Sequence, residues 1–382
     1  MTSARTPVAF SRLALVGAAA TFLLMGMLAA AYGPLLAFLI RRFQVGLPVA
    51  GLVFGAHFGG GFLGVLVSMR GLERIGGRVA LSGSLASLGL GCAGVALAPS
   101  WPLLLGAVFL IGVGFGGLDI AINQLVVHSA NPGRVAQVNV LNGSYAVGAV
   151  VAPLLVAAAG QRYSALYAGA AVMAAIVILG WRGVSGGLAA PAANGRAAGS
   201  DAGLIVTFVI AITLYVGVEI GVAGWMPTHL QGIGYSVTAA ARLTSGFWLA
   251  LAAGRFLVAP LTLRLGEPFI VLAGTGIVVL ALIAALVPAA APAAYLLAGL
   301  AIAPIFPTGL AWLARLNPGN PRATAWIFPA AMLGGALIPT GLGVVMAGLG
   351  TAWAPAVLAA VATGCLAAFA AAGWHRVTMS GQ

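Results

Sequence analysis

From Leu13 to Ile40 the chain reads LALVGAAATFLLMGMLAAAYGPLLAFLI, without one charged residue. A helix rising 1.5 Å per residue needs about 20 apolar residues to cross roughly 30 Å of hydrocarbon. This run is long enough to do so. Arg5 and Arg12 ahead of it give the start the look of a signal peptide, but the run is too long for a cleaved apolar region and carries Gly33-Pro34 inside it. It reads as a first, retained transmembrane helix.

Beyond it, polar, Pro/Gly and Arg punctuation cuts the chain into eleven further runs. Their rough spans are 48–70, 79–97, 102–128, 136–160, 164–181, 204–226, 237–264, 268–288, 292–314, 323–347 and 353–373. Hydrophobic residues make up 62% of the chain and charged residues 6%, against about 25% charged in a soluble domain. So little charge cannot dress a water-facing surface, so the solvent is lipid. Backbone groups in lipid must be satisfied within the segment, which makes these runs helices, and their continuity excludes the short alternating strands of a barrel. The expected fold is an all-α membrane protein of twelve transmembrane helices.

The net charge of +12 does not point to nucleic acid. Its basic residues are all arginine and lie scattered between apolar runs, as in loops facing an anionic leaflet. With both termini in the cytoplasm, Arg5, Arg12, Arg70, Arg74, Arg78, Arg134, Arg182, Arg196, Arg264, Arg315, Arg322 and Arg376 fall inside. Arg41, Arg42, Arg162 and Arg242 fall outside, and Arg255 lies within helix 8. That asymmetry obeys the positive-inside rule, and the inverted topology breaks it.

The longest interruption, 182–203, contains Gly-Gly, Pro191, Asn194, Gly195 and Asp201 and reads as a flexible cytoplasmic linker. It divides an N-terminal six-helix half, 1–181, from a C-terminal half, 204–382. The halves echo each other: Asn131-Pro-Gly-Arg134 in loop 4–5 is answered by Asn317-Pro-Gly-Asn-Pro-Arg322 in loop 10–11. Glu73-Arg74-Ile-Gly76-Gly77-Arg78 in loop 2–3 has its counterpart in Arg264-Leu-Gly266-Glu267 in loop 8–9. A parallel repeat of six helices related by pseudo-two-fold symmetry is a transporter architecture.

Of the five acidic residues, Glu73 and Glu267 lie in loops and Asp201 in the linker. Only Asp119 and Glu219 fall inside helices, one in each half. A charge at the bilayer centre costs roughly 3 kcal/mol even on the gentler insertion scale, so it persists where it faces a cavity or partner. Both are candidates for ion coupling, with a purely structural hydrogen bond as the bland alternative. Asn123 stands one turn from Asp119 on the same face and suits a proton or a sodium site. On helix 5, Asn139, Asn142 and Tyr145 recur every three residues as a polar stripe. Amides that hold hydroxyls, with an aromatic plate against a ring's C–H face, are what a sugar needs, and Tyr215, Trp225, Trp248 and Trp326 are candidate partners. Against this stands interhelical hydrogen bonding, typically worth about 0.6 kcal/mol per contact in membranes. Trp101 and Trp353 read as interface anchors, Arg255 as a structural clamp or snorkelling residue, and His57 as a packing residue. The glycine rows Gly59-Gly60-Gly61 and Gly112-x-Gly114-x-Gly116 sit in apolar helices, where small residues allow close backbone approach rather than phosphate binding. Cys92 and Cys365, alone in apolar runs, make neither a metal set nor a disulfide framework. No catalytic constellation is present, so an enzyme is not expected.

Loop 2–3 resembles the acidic-Arg-x-Gly-x-Arg loop motif of the major facilitator superfamily, with Met69 where the motif opens on glycine. The resemblance spans all twelve helices and implies that Glu73, Arg74 and Arg78 clamp neighbouring helix ends. A narrower likeness lies in Gly112-Val-Gly114-Phe-Gly116-Gly117-Leu-Asp119 with Asn123, in Gln137-Val-Asn139-Val-Leu-Asn142-Gly-Ser-Tyr145, in Tyr215-Val-Gly217-Val-Glu219-Ile-Gly221, and in Gly246-Phe-Trp248 followed by Gly254-Arg255-Phe256. These look like the fucose/hexose symporter branch, with its fucose permeases and sodium-dependent glucose transporters. That likeness implies sugar uptake, with Asp119 in coupling and the helix 5 row near the sugar. Gly33 stands where fucose permeases carry an aspartate, and Ala152 breaks the Gly-Pro pair of drug antiporters.

The expectation is therefore a monomeric inner-membrane symporter for a small polar solute such as a sugar, coupled to H+ or Na+, without cofactor or nucleic-acid partner. A proton-coupled efflux pump for drugs or hydrophobic metabolites is the first rival. A non-transporting membrane sensor or scaffold is the second.

Overall fold

The computed structural model describes residues 9–127, 134–185, 202–317 and 326–379. Nearly all of them are helical. The loop 4–5 motif, most of the loop 10–11 motif and the body of the linker lie outside the described residues. Helices α1 (Arg12–Phe43), α2 (Leu47–Ile75), α3 (Gly77–Leu97), α4 (Trp101–Val127), α5 (Arg134–Ala159) and α6 (Tyr163–Ile178) come first. After them come α7 (Ala202–Gly232), α8 (Val237–Leu265), α9 (Glu267–Ala284), α10 (Ala291–Ile302), α11 (Ile305–Leu316), α12 (Ile327–Leu349) and α13 (Ala354–Met379). A two-residue antiparallel bridge pairs Ala9 with Ser185 and Phe10 with Val184.

Among the described residues, ten stretches are long and apolar enough to cross a membrane, and one of them, Gln137–Gly183, runs through both α5 and α6. The arginine-bearing α8 falls outside that set. The tenth expected helix, 292–314, is two helices, α10 and α11, interrupted at Ala303-Pro304. Proline has no N–H, so Pro304 and Pro307 leave the carbonyls four residues before each of them without a helical donor. The tenth segment therefore breaks where the first proline stands. Prolines 34, 153, 227 and 339 are carried inside unbroken helices.

Packing divides the chain into two compact units: residues 1–44 with 52–193, and 45–51 with 194–382. In the first unit, α1 lies against α5 and α2 against α4 at backbone distance. A Cβ on Gly26 would overlap the Tyr145 carbonyl, and one on Gly148 the Leu23 carbonyl. Gly60 and Gly64 face the carbonyls of Phe109 and Val113 in the same way, and Gly112 and Gly116 face those of His57 and Gly61. The second unit repeats the arrangement. Gly334 of α12 meets the Thr213 carbonyl of α7, while Gly254 of α8 meets the Leu300 carbonyl of α10 and Gly299 meets that of Phe247. First with fifth and second with fourth segment is thus the pairing within each unit. Small residues make it possible, because lipid supplies no hydrophobic drive and helices associate by close packing.

Polar ties fix the ends. The side chains of Ser11 and Ser236 cap α1 and α8 by accepting from the amides of Ala14 and Ala239 at 3.2 and 3.1 Å. Arg42 donates to the Tyr163 hydroxyl at 3.0 Å and the Ala98 carbonyl at 3.1 Å, holding the end of α1 to α6 and to the turn before α4. In the second unit Arg315 of α11 grips the Glu267 carboxylate at the start of α9 through two 3.0 Å contacts.

Candidate functional site

In the first unit the apolar α4 carries Asp119 half-buried. Its Oδ1 accepts a 3.1 Å hydrogen bond from Asn123 Nδ2, which also donates to the Asp119 carbonyl at 2.8 Å. The i, i+4 pair expected from the sequence is therefore formed. One turn before Asp119, Phe115 meets the ring of His57 edge-on, with centroids 5.0 Å apart. His57 is fully buried, its Nδ1 is 2.9 Å from the Tyr32 hydroxyl, and its Nε2 has no partner. The sequence pointed to His57 but gave no sign of Tyr32, which lies on another helix twenty-five residues away.

The helix 5 stripe is present. Asn139 and Asn142 are exposed on α5 and Tyr145 is half-buried. Asn142 Nδ2 donates to the Val138 carbonyl at 3.0 Å, one turn back along its own helix. That bond uses a donor and leaves the Asn142 side-chain oxygen able to accept from another group. The expected loop 2–3 is almost wholly helical, with Gly76 alone between α2 and α3: Arg74 is exposed in the last turn of α2, Arg78 is exposed at the start of α3, and the side chain of Glu73 lies outside the described residues.

In the second unit Tyr215, Glu219 and Arg255 come together. Tyr215 and Glu219 are one turn apart on α7, close enough for each to act on the other. The Tyr215 hydroxyl is 3.3 Å from the Ile302 carbonyl, the last residue of α10 before the break. Arg255 of α8 acts on Glu219 through its charge. Among the described residues no ion pair within 4.0 Å joins the two; the pair that does form is Arg315 with Glu267. Trp225 is fully buried, and its indole donates to the Pro339 carbonyl of α12 at 2.7 Å. Trp248 is buried with its Nε1 unpartnered, and Trp326 is 56% exposed. Sequence reading passed over Ser245, whose buried hydroxyl also lacks a partner. The signal available was its spacing of three residues from Trp248 on an apolar helix. It also passed over the bond between the Tyr295 hydroxyl and His229 Nδ1, 2.9 Å long.

One carboxyl in a helix of each unit, amides on an apolar helix and a helix broken beside an acid are features of a membrane carrier. Comparison with known proteins agrees. The Major Facilitator Superfamily profile matches residues 18–297. The chain belongs to that superfamily of membrane transporters. No curated protein matches it in sequence. Among solved structures it is similar to a D-xylose–proton symporter, at 14% identity over 94% of this chain and 97% of that one, with a TM-score of 0.79. It is similar to the nucleoside transporter NupG at 12% identity, 95% and 99% coverage and a TM-score of 0.73. A variant of the peptide transporter POT aligns at 14% identity, 94% and 93% coverage and a TM-score of 0.76. At these identities the likeness is one of fold.

Proposed function

We propose that the protein is a secondary active transporter taking up a small polar solute, a sugar or sugar-like compound, in symport with H+ or Na+ by alternating access. The observation that carries this reading is Asp119: a carboxyl inside a membrane span whose described hydrogen bonds come from a neutral amide. An acid so placed is costly unless it exchanges its charge, which is what coupling demands. Glu219 is the second coupling group, in the other unit, and the amides of α5 are the solute-facing surface. Support for sugars comes from the amide stripe and from the D-xylose–proton symporter, whose fold this chain shares. The excess of arginine in the loops on the side of the termini supports a cytoplasmic position for both of them.

The test is solute uptake into proteoliposomes, with pH and sodium gradients imposed separately on a panel of sugars and related metabolites. Accumulation driven by one of the two gradients is expected. Outward movement of apolar compounds, with no sugar uptake under either gradient, would replace this reading by the efflux one.

A further inference from the structure

Three buried polar atoms of α8 lack a hydrogen-bond partner: Ser245 Oγ, Trp248 Nε1 and Arg255 Nε. Ser245 and Trp248 are only 6% and 3% exposed. Steps of three and seven residues place all three on one helical face. It is not the face packed on α10, which carries Phe247 and Gly254. The indole and guanidinium N–H groups can only donate, and the hydroxyl can donate as well. Native folds leave few buried donors unpaired, because a buried donor without an acceptor is penalised. Three on one face describe a strip that lacks its acceptor oxygens.

The strip ends on a positive charge. Glu219 lies within electrostatic reach of Arg255, yet among the described residues no ion pair within 4.0 Å joins them. Building on the transport reading above, we propose that this face of α8 binds the solute and that the solute is a carboxylate-bearing polyol, a sugar acid. Arg255 pairs its carboxylate, a geometry guanidinium favours, while Trp248 and Ser245 donate to its hydroxyl oxygens. Glu219 then regulates the site. Ionised, it repels the incoming carboxylate and claims Arg255; protonated, it leaves Arg255 to the solute, so proton and anion enter together. The groups facing Glu219 fit this role: Tyr215 on its own helix, Arg255 from α8, and Cys365 of α13 beyond Tyr215. The α12 segment packed on α7 has no titratable side chain, and Tyr295 of α10 is bonded to His229.

D-Glucuronate and D-glucose, alike except for a carboxylate in place of a hydroxymethyl group, are the matched probes. Counterflow in proteoliposomes at pH 6 is expected to show glucuronate preferred by about tenfold or more. Arg255→Gln should abolish that preference. Ser245→Ala, a change small enough to preserve folding, should weaken glucuronate exchange several-fold, with the preference intact. Glucuronate affinity should fall as pH rises in the wild type and stay flat in Glu219→Gln. Equal affinity for the two probes, or a glucuronate preference that survives Arg255→Gln, overturns the proposal. Exchange of glucose alone overturns the carboxylate assignment and leaves sugar transport standing. Exchange of neither probe, under both pH and sodium gradients, removes the sugar reading along with it.

Discussion

Asp119 shows how much one side chain in a low-dielectric span can decide. Its carboxyl is bonded by Asn123, an amide that supports either protonation state of the acid but cannot neutralise its charge. Replacing the carboxyl by an amide keeps the shape and the hydrogen bond while removing the exchangeable charge. Asp119→Asn is therefore expected to abolish gradient-driven accumulation in proteoliposomes yet retain counterflow, and accumulation at the wild-type level would remove Asp119 from the mechanism. Asn142 differs in kind. One of its donors is spent on the Val138 carbonyl, and the exposed side chain keeps a second donor and an acceptor. Removing it should leave a solute hydroxyl unpaired at a cost of about 1–3 kcal/mol, roughly tenfold or more in affinity. Binding measured on Asn142→Ala and Asn139→Ala, with expression normal, tests this; unchanged affinity in both would reduce the stripe to helix packing.

The helices pack through glycines that differ sharply from their neighbours. Gly60 on α2 lies against the Phe109 carbonyl of α4, whereas a Cβ on the adjacent Gly59 would meet nothing within 4 Å. Backbone cannot step aside as a flexible side chain can, so overpacking here should cost at least the usual 1–3 kcal/mol or so. Gly60→Leu is expected to lower the thermal midpoint in detergent by several degrees and to cut the yield of folded protein, while Gly59→Ala leaves both unchanged. Equal tolerance at the two positions would mean that α2 and α4 are not held at backbone distance. The spans themselves were legible because an apolar run of membrane length has one stable solution in lipid, and the expected and observed limits differ by only a few residues over most of the chain. The break at Ala303-Pro304 was not, since Pro34, Pro153, Pro227 and Pro339 sit in helices that continue through them. What differs at the tenth segment is the closely spaced pair Pro304 and Pro307, with the Tyr215 hydroxyl of α7 donating to the Ile302 carbonyl just before the break. Asp119 with Asn123 was legible because both lie on one helix. Tyr32 with His57 was not, because α1 and α2 bring them together from separate turns of the chain.

For the molecule as a whole, arginine placement carries the topological information that the apolar runs lack. Twelve arginines fall on one side of the membrane and four on the other when the termini are taken as cytoplasmic. Arg42 shows that an arginine on the minority side can have a local structural reason to be there, with the Tyr163 hydroxyl and the Ala98 carbonyl as its partners. The native cysteines make the orientation measurable without further engineering, since Cys92 and Cys365 are both buried. The unmodified protein should therefore stay dark to a membrane-impermeant maleimide. Gln161, exposed in the turn before α6, and Arg182, exposed just after it, bracket that helix and so lie on opposite sides of the bilayer. Intact cells bearing Gln161→Cys should label readily. Arg182→Cys should label only once the cells are permeabilised. The reverse pattern would invert the topology, turning twelve arginines outward against four inside and so breaking the positive-inside rule.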